Sequence, residues 1–296
     1  RAETDFGDVA MRVALLLRNR HYARTDFDDA MSKKVFENYL EDLDYNRMYF
    51  TKNDIEEFKK KYELTLDDSI YAVSIEPAAE MSKRRLKRVE ERVAKIEKEL
   101  AEGVFTFETD RKVIQTRKDA DWPDDMAESD QLWHDILEAD LLREQLRIEG
   151  LEKLAKEKAD KGEEPSKAKE DDETPREKIL KRYTRFLESL KQEDEEDIAN
   201  HFLTALATAY DPHSEYFSQS ELDSFQTNMK KRLQGIGALL SMRDSREAEI
   251  QGIVVGGPAD KSGLLHVGDR ITAVGQGDDG ELIDITYMKL QKVVDL

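Results

Sequence analysis

Apolar residues recur at helical spacing from the start of the chain to about residue 225. Val9, Val13, Leu16 and Leu17 fall on one helical face, and Met31, Val35, Tyr39 and Leu43 do the same in the next segment. Thr51, with Asp54 three residues on, predicts a capped helix start before Ile55, Phe58 and Tyr62. Leu86, Val89, Val93, Ile96 and Leu100 alternate steps of three and four, which predicts a narrow seam for one partner helix, closed by Gly103. The run VFTFETDRKVI, residues 104–114, reads as extended. Trp122-Pro123 breaks the chain, and Leu132, Trp133, Ile136 and Leu137 open another helix. Residues 155–173 carry almost no apolar side chain and mix both charge signs, so they predict a solvated, mobile linker or a ragged helix end. Thr174, Pro175 and Glu177 combine a cap, a first-turn proline and a box carboxylate ahead of Ile179, Tyr183, Phe186 and Leu190. A last pair of helices brackets the turn DPHSEYF, residues 211–217, with Ser218 and Glu221 as a second capping box.

From about Gly235 the texture changes. Glycines cluster, and the short β-prone runs IGALLSM, EIQGIVV and DRITAV lie between them. A short helix, MKLQKVVDL, closes the chain. The pattern predicts a mainly α N-terminal domain over residues 1–228, including the charged segment 155–173, followed by a mixed α/β domain over residues 229–296.

Composition narrows the function classes. Hydrophobic residues make up 39% and charged residues 38% of the 296, which is polar but leaves enough apolar side chains for real cores. The formal net charge of -19 repels phosphate backbones, so nucleic acid is not an expected partner, and the plain role of that charge is solubility. The absence of cysteine excludes disulfides, thiol catalysis and zinc–thiolate sites. No apolar run is long enough to span a bilayer; the stretch VALLL at residues 13–17 continues an amphipathic helix. The chain opens at Arg1 rather than Met, as a chain does after a leader has been removed. His21, His134, His201 and His266 show no ligand spacing, so neither a metal nor a cofactor is expected.

The densest motif is GGPADKSGLLHVGDRITAVG, residues 256–275. Pro258 and Ala259 can open a short helix that Gly263 ends, with Leu264, Leu265 and Val267 as apolar anchors and Gly268-Asp269 turning into a strand. It resembles the core signature of PDZ domains. Upstream, Gly235, Ile236, Gly237 and Ala238 resemble the carboxylate-binding loop of that family. A peptide carboxylate must be met by several backbone N–H groups in one concavity, and glycine lets the backbone curl that closely. The strand that follows, Leu239, Leu240 and on to Met242, would offer its edge to an incoming peptide by strand addition. The final helix would form the other wall, with Lys289, Val293 and Leu296 lining the groove and Leu290 and Val294 facing the core. The chain stops inside this helix, before the last strand that a PDZ fold would have.

HYARTDFDDAMSKKVFENYLEDLDYNRMYF, DWPDDMAESDQLW, YDPHSEYFS and LQGIGALL follow in that order. Together they resemble the tail-specific, or carboxyl-terminal processing, proteases, most closely the long Prc (Tsp) type of Gram-negative periplasms. The resemblance implies a helical domain, a PDZ domain that grips the C-terminal tails of protein substrates, and then a core with a serine nucleophile and a lysine base. It also implies a periplasmic location, a lipoprotein adaptor and substrates among cell-envelope proteins. A serine–lysine dyad needs a serine on a strained turn beside an oxyanion hole. No serine here has that setting, and Lys261-Ser262 reads as a surface pair, so no catalytic residue is assigned and this chain is expected to be inactive alone. In DPHSEYF, Asp211 and Pro212 stop a helix and Tyr216 and Phe217 pack, a reading preferred to a chemical role for His213. The rivals are a non-catalytic PDZ scaffold and a chaperone-like helical protein with an incidental glycine-rich tail.

Overall fold

The structure, a computed structural model, describes residues 4–108, 111–114, 116–160, 173–230, 236–242, 248–275, 283–285 and 290–294. The chain divides into two compact units, Arg1–Tyr216 and Phe217–Leu296. The first holds α1 (Phe6–Arg20), α2 (Asp29–Leu43), α3 (Lys52–Tyr62), α4 (Leu66–Tyr71), α5 (Glu76–Glu102), α6 (Met126–Asp160), α7 (Pro175–Lys191) and α8 (Glu195–Tyr210). The second holds α9 (Gln219–Lys230), β1 (Ala238–Met242), β2 (Ala248–Ile253), α10 (Pro258–Ser262), β3 (Arg270–Ile271), β4 (Ala273–Val274), β5 (Ile283–Asp284) and α11 (Leu290–Val294). Helix α9 thus goes with the second unit, although the sequence expectation drew its boundary after residue 228.

The caps form as their residues dictate. Thr51 and Asp54 make a reciprocal capping box on α3, and Thr174 and Glu177 make one on α7. Ser218 Oγ accepts the Glu221 N–H at 3.3 Å while the Glu221 carboxylate accepts the Ser218 N–H at 2.8 Å. Gly103 does end α5, but not through a left-handed turn: its φ is -69°, and its N–H donates to the Glu99 carbonyl at 2.7 Å. A Cβ there would stand 2.3 Å from that carbonyl oxygen, so close approach is what requires glycine.

The main core of the first unit lies between α1, α2, α3, α4, the start of α5 and α8. Tyr39 packs edge-on against Phe202 at 5.3 Å and donates its hydroxyl to the Ala78 carbonyl at 3.1 Å. Helix α1 meets this core through Ala10 and Ala14, with Val9, Val13 and Leu17 at the margin. Leu16 points out instead of in, at 61% exposure, because the close contact uses the small residues. The seam on α5 also departs from expectation. It meets two helices, not one: Ile96 and Leu100 pack with Trp133, Leu137 and Leu141 of α6 and Ile179 of α7, while Val89 and Val93 pack with Leu190 of α7.

Two buried carboxylates tie these cores together. Asp44 accepts the N–H groups of Met48 (2.9 Å), Tyr49 (3.1 Å) and Phe50 (3.1 Å) and the Trp122 indole N–H (3.1 Å), which fixes the loop after α2. Asp54 receives Arg88 in a two-point fork, 2.9 Å on each oxygen, and Arg84 at 2.7 Å, clamping α3 to α5. Among the described residues of 104–114 no strand forms; Phe107 takes a left-handed φ of 56°, and Phe105 stacks on His134 at 5.4 Å. Of the segment 155–173, residues 155–160 are the last turns of α6, and 161–172 lie outside the described residues.

In the second unit β1, β2 and β3 form an antiparallel sheet in the order β1-β2-β3, and β4 pairs with β5. Leu239 opposes Gly252 and Leu240 opposes Ile250, which leaves Gln251 as a one-residue bulge on β2. Ala248, Ile285 and Val293 form the small core, with Ile271, Val274 and Leu290 beside it. The helix register differs from expectation by one residue: Val293 is buried with Leu290, and Val294 is 59% exposed. In this short helix the i,i+3 pair Leu290–Val293 faces inward, not the i,i+4 pair Leu290–Val294. Two of the expected anchors also face out, Leu264 at 80% and Val267 at 63% exposure, while Leu265 is partly buried. No described helix is long and apolar enough to cross a membrane.

Candidate functional site

The loop before β1 is shaped by one glycine. Gly237 has φ +75°, a left-handed conformation that side chains resist. A Cβ on it would stand 3.3 Å from the Gly257 Cα and 3.4 Å from the Pro258 Cδ. The loop is held from behind by its carbonyls. The Ile236 carbonyl accepts the Ala259 N–H at 2.8 Å, and the Gly237 carbonyl accepts the Val254 N–H at 2.8 Å.

Those two bonds decide where the opposite groups aim. In a planar trans peptide the carbonyl and the following N–H point in opposite directions. Anchoring the Ile236 carbonyl therefore turns the Gly237 N–H away from α10, and anchoring the Gly237 carbonyl turns the Ala238 N–H away from β2. Among the described residues no backbone acceptor is recorded for the Gly237 N–H. The same loop leads straight into β1, whose second edge has no strand partner among the described residues. Consecutive outward N–H groups beside an open strand edge suit a chain terminus: a carboxylate on the loop, an extended backbone on the strand.

The expected site residues are distributed as follows. Ile236 (48% exposed), Gly237, Ala238, Leu239 (60% exposed) and the partly buried Leu240 lie together along the loop and edge. Helix α11 packs beside β1. Val293 of that helix, expected to line the groove, is buried in the small core instead, because the core takes the i,i+3 face of the helix. Gly235, Lys289 and Leu296 lie outside the described residues. Sequence reasoning reads Pro258 and Ala259 only as the start of a short helix and gives Gly257 no role beyond the cluster of glycines. Their role as the surface behind the loop comes only from the fold.

The turn at the end of α8, residues 211–217, has a different character. His213 is 95% exposed by side chain and pairs with Asp211 at 3.0 Å, and Tyr22 donates to the other Asp211 oxygen at 2.5 Å. The Tyr22 hydroxyl, then His213, hold the Asp211 carboxyl down at about 2. Ser214 Oγ lies 3.4 Å from His21 Nε2, but His21 accepts the Ala23 N–H through Nδ1 at 3.2 Å. The ring proton is therefore on Nε2, which cannot take a proton from the serine. These contacts hold a turn and give no activated nucleophile. No cluster of three or more metal-ligating side chains occurs among the described residues.

Comparison with known proteins agrees with this division of the chain. The family described as the tail-specific protease N-terminal domain matches residues 13–220, and the PDZ domain family matches residues 226–295. The tail-specific protease of Haemophilus influenzae is 30% identical over 289 residues, which cover 96% of this chain and 37% of that protein. The chain thus spans little more than a third of the length of this relative.

Proposed function

Because the chain belongs to the tail-specific protease family, with that family's N-terminal domain followed by a PDZ domain, we propose that it docks protein substrates by their C-terminal tails for a periplasmic serine endopeptidase. The observation that carries this reading is the pairing of the Ile236–Ala238 loop with the open edge of β1. The tail's carboxylate sits on the loop N–H groups, its backbone adds a strand to β1, and its apolar side chains lie beside Ile236 and along one face of β1. In the whole protein the serine nucleophile and lysine base lie outside the residues of this chain, and the helical unit is the platform on which substrates, cell-envelope proteins among them, and a lipoprotein adaptor assemble.

The test is calorimetric titration of the chain with a peptide ending in an apolar residue, as free acid and as C-terminal amide. Amidation removes the charge the loop recognises and weakens binding by about 1.5–3 kcal/mol, as for a charge-assisted hydrogen bond. Equal affinity for the two peptides contradicts the reading.

A further inference from the structure

Gly257 is a glycine that its own conformation does not explain. Its φ of -74° and ψ of 172° are open to any residue, and it stands at the N-cap of α10, where serine, threonine, asparagine or aspartate would cap better. No side chain caps this helix. What glycine provides here is room. A Cβ on Gly257 would stand 3.0 Å from the Val254 carbonyl oxygen and 3.5 Å from the Gly237 Cα. The reciprocal contact, from a Cβ on Gly237 to the Gly257 Cα, is 3.3 Å. The two glycines meet backbone to backbone.

That contact lies between the two hydrogen bonds that grip the loop. Val254 and Ala259, the donors to the Gly237 and Ile236 carbonyls, flank Gly257 in sequence. The turn between them is braced internally: the Gly257 N–H donates to the Val254 carbonyl at 2.9 Å, and the Gly256 N–H donates to the Asp260 carboxylate at 2.8 Å. A Cβ at 257 is in ordinary contact with the Gly237 Cα but crowds the Val254 carbonyl oxygen, so the braced turn must shift at Val254, and the Val254 N–H that grips the Gly237 carbonyl shifts with it.

We infer that Gly257 is a positioning residue for carboxylate recognition: by leaving the Val254 carbonyl uncrowded, it keeps the turn in place so that Val254 and Ala259 aim the Gly237 and Ala238 N–H groups at the ligand. This rests on the carboxylate-binding reading above. Gly257 does not touch the ligand; it acts through the loop.

The experiment uses the whole chain and the same acid and amide peptides, with Gly257→Ala and Gly257→Ser. Both variants are expected to lose about tenfold in affinity for the free acid, the size of one misaligned charge-assisted hydrogen bond, with amide affinity unchanged, so that the acid-to-amide ratio falls towards one. The serine variant separates this from a purely structural role, because a serine cap favours α10 and would leave the ratio intact or the unit firmer. A wild-type ratio retained in either folded variant overturns the inference. A wild-type ratio of one overturns the carboxylate reading and this inference with it. Should the variants not fold, hydrogen exchange in the wild type decides: the Val254 and Ala259 amides are expected to exchange more slowly with the acid peptide than with the amide, and equal exchange overturns the coupling.

Discussion

In the helical unit Trp133, Tyr39, Phe36, Phe50, Phe58 and Phe202 are fully buried, and salt bridges such as Asp54 with Arg84 and Arg88 lock one helix to the next. In the second unit the described buried apolar residues are Ala248, Ile250, Ala259, Ile285 and Val293, with no aromatic among them. Ile236, Leu239, Val255, Leu264 and Val267 are exposed there. The first unit is therefore held by side-chain volume and the second largely by backbone hydrogen bonds. A sheet with an open edge and exposed apolar side chains is a liability in a protein that has no use for it. Here the edge lies beside a loop whose N–H groups aim outward, which is what a binding strand requires. The contrast teaches that the proposed recognition edge lies where packing is thin and backbone is accessible.

The largest expected effect probes the packed side of this contrast. Trp133→Ala removes a side chain that is fully buried between Tyr49 and Tyr183 and donates to the Met48 carbonyl at 3.0 Å. It should destabilise the helical unit by about 3–5 kcal/mol in denaturant unfolding. Peptide affinity at the second unit should stay at the wild-type value; a large loss would break the division between the units.

Asp54→Asn should cost about 3 kcal/mol, because it leaves two partly buried arginines without their shared anion. Burial pushes the Asp54 carboxyl up, but the hydrogen bonds from Arg88, Thr51 and Arg84 outweigh it and the pKa is lowered. A carboxyl depressed by folding contributes stability that is complete above its unfolded value, about 3.9, and is lost as pH falls through the folded value. Acid unfolding of the helical unit should accordingly be shallower in the variant. An unchanged acid limb would show that the clamp adds nothing.

On the thin side, Ile285→Val should cost about 0.5–1.5 kcal/mol and act on the second unit alone. Leu264→Ser and Val267→Ser should change stability by less than about 0.5 kcal/mol, since both side chains already face solvent. A cost above about 1 kcal/mol would mean that these residues are packed, as the sequence suggested.

The order of helices and strands was legible because local rules agreed with the fold. Capping boxes at Thr51, Thr174 and Ser218 formed as written, and Gly263 ended α10 in a left-handed conformation of φ +63°. Where the reading failed, tertiary contact decided. Leu16 lost its place to Ala10 and Ala14, and the α5 seam served two neighbours because α6 and α7 both approach it. In α11 a register free by one residue was settled by the small core, which took Val293. The loop at the candidate site was legible from Gly237, but its support by Gly257 was not, because a contact between two glycines twenty residues apart leaves no periodic trace.

The central claim is that β1 receives a peptide on its open edge with the terminal carboxylate on the Gly237 and Ala238 N–H groups. A crystal structure of the chain with an apolar-tailed free-acid peptide tests it directly. The account predicts a fourth strand beside β1, giving the order peptide-β1-β2-β3, with carboxylate oxygens roughly 2.7–3.1 Å from those two nitrogens. A peptide bound elsewhere, or bound on β1 with its carboxylate in solvent, would contradict it.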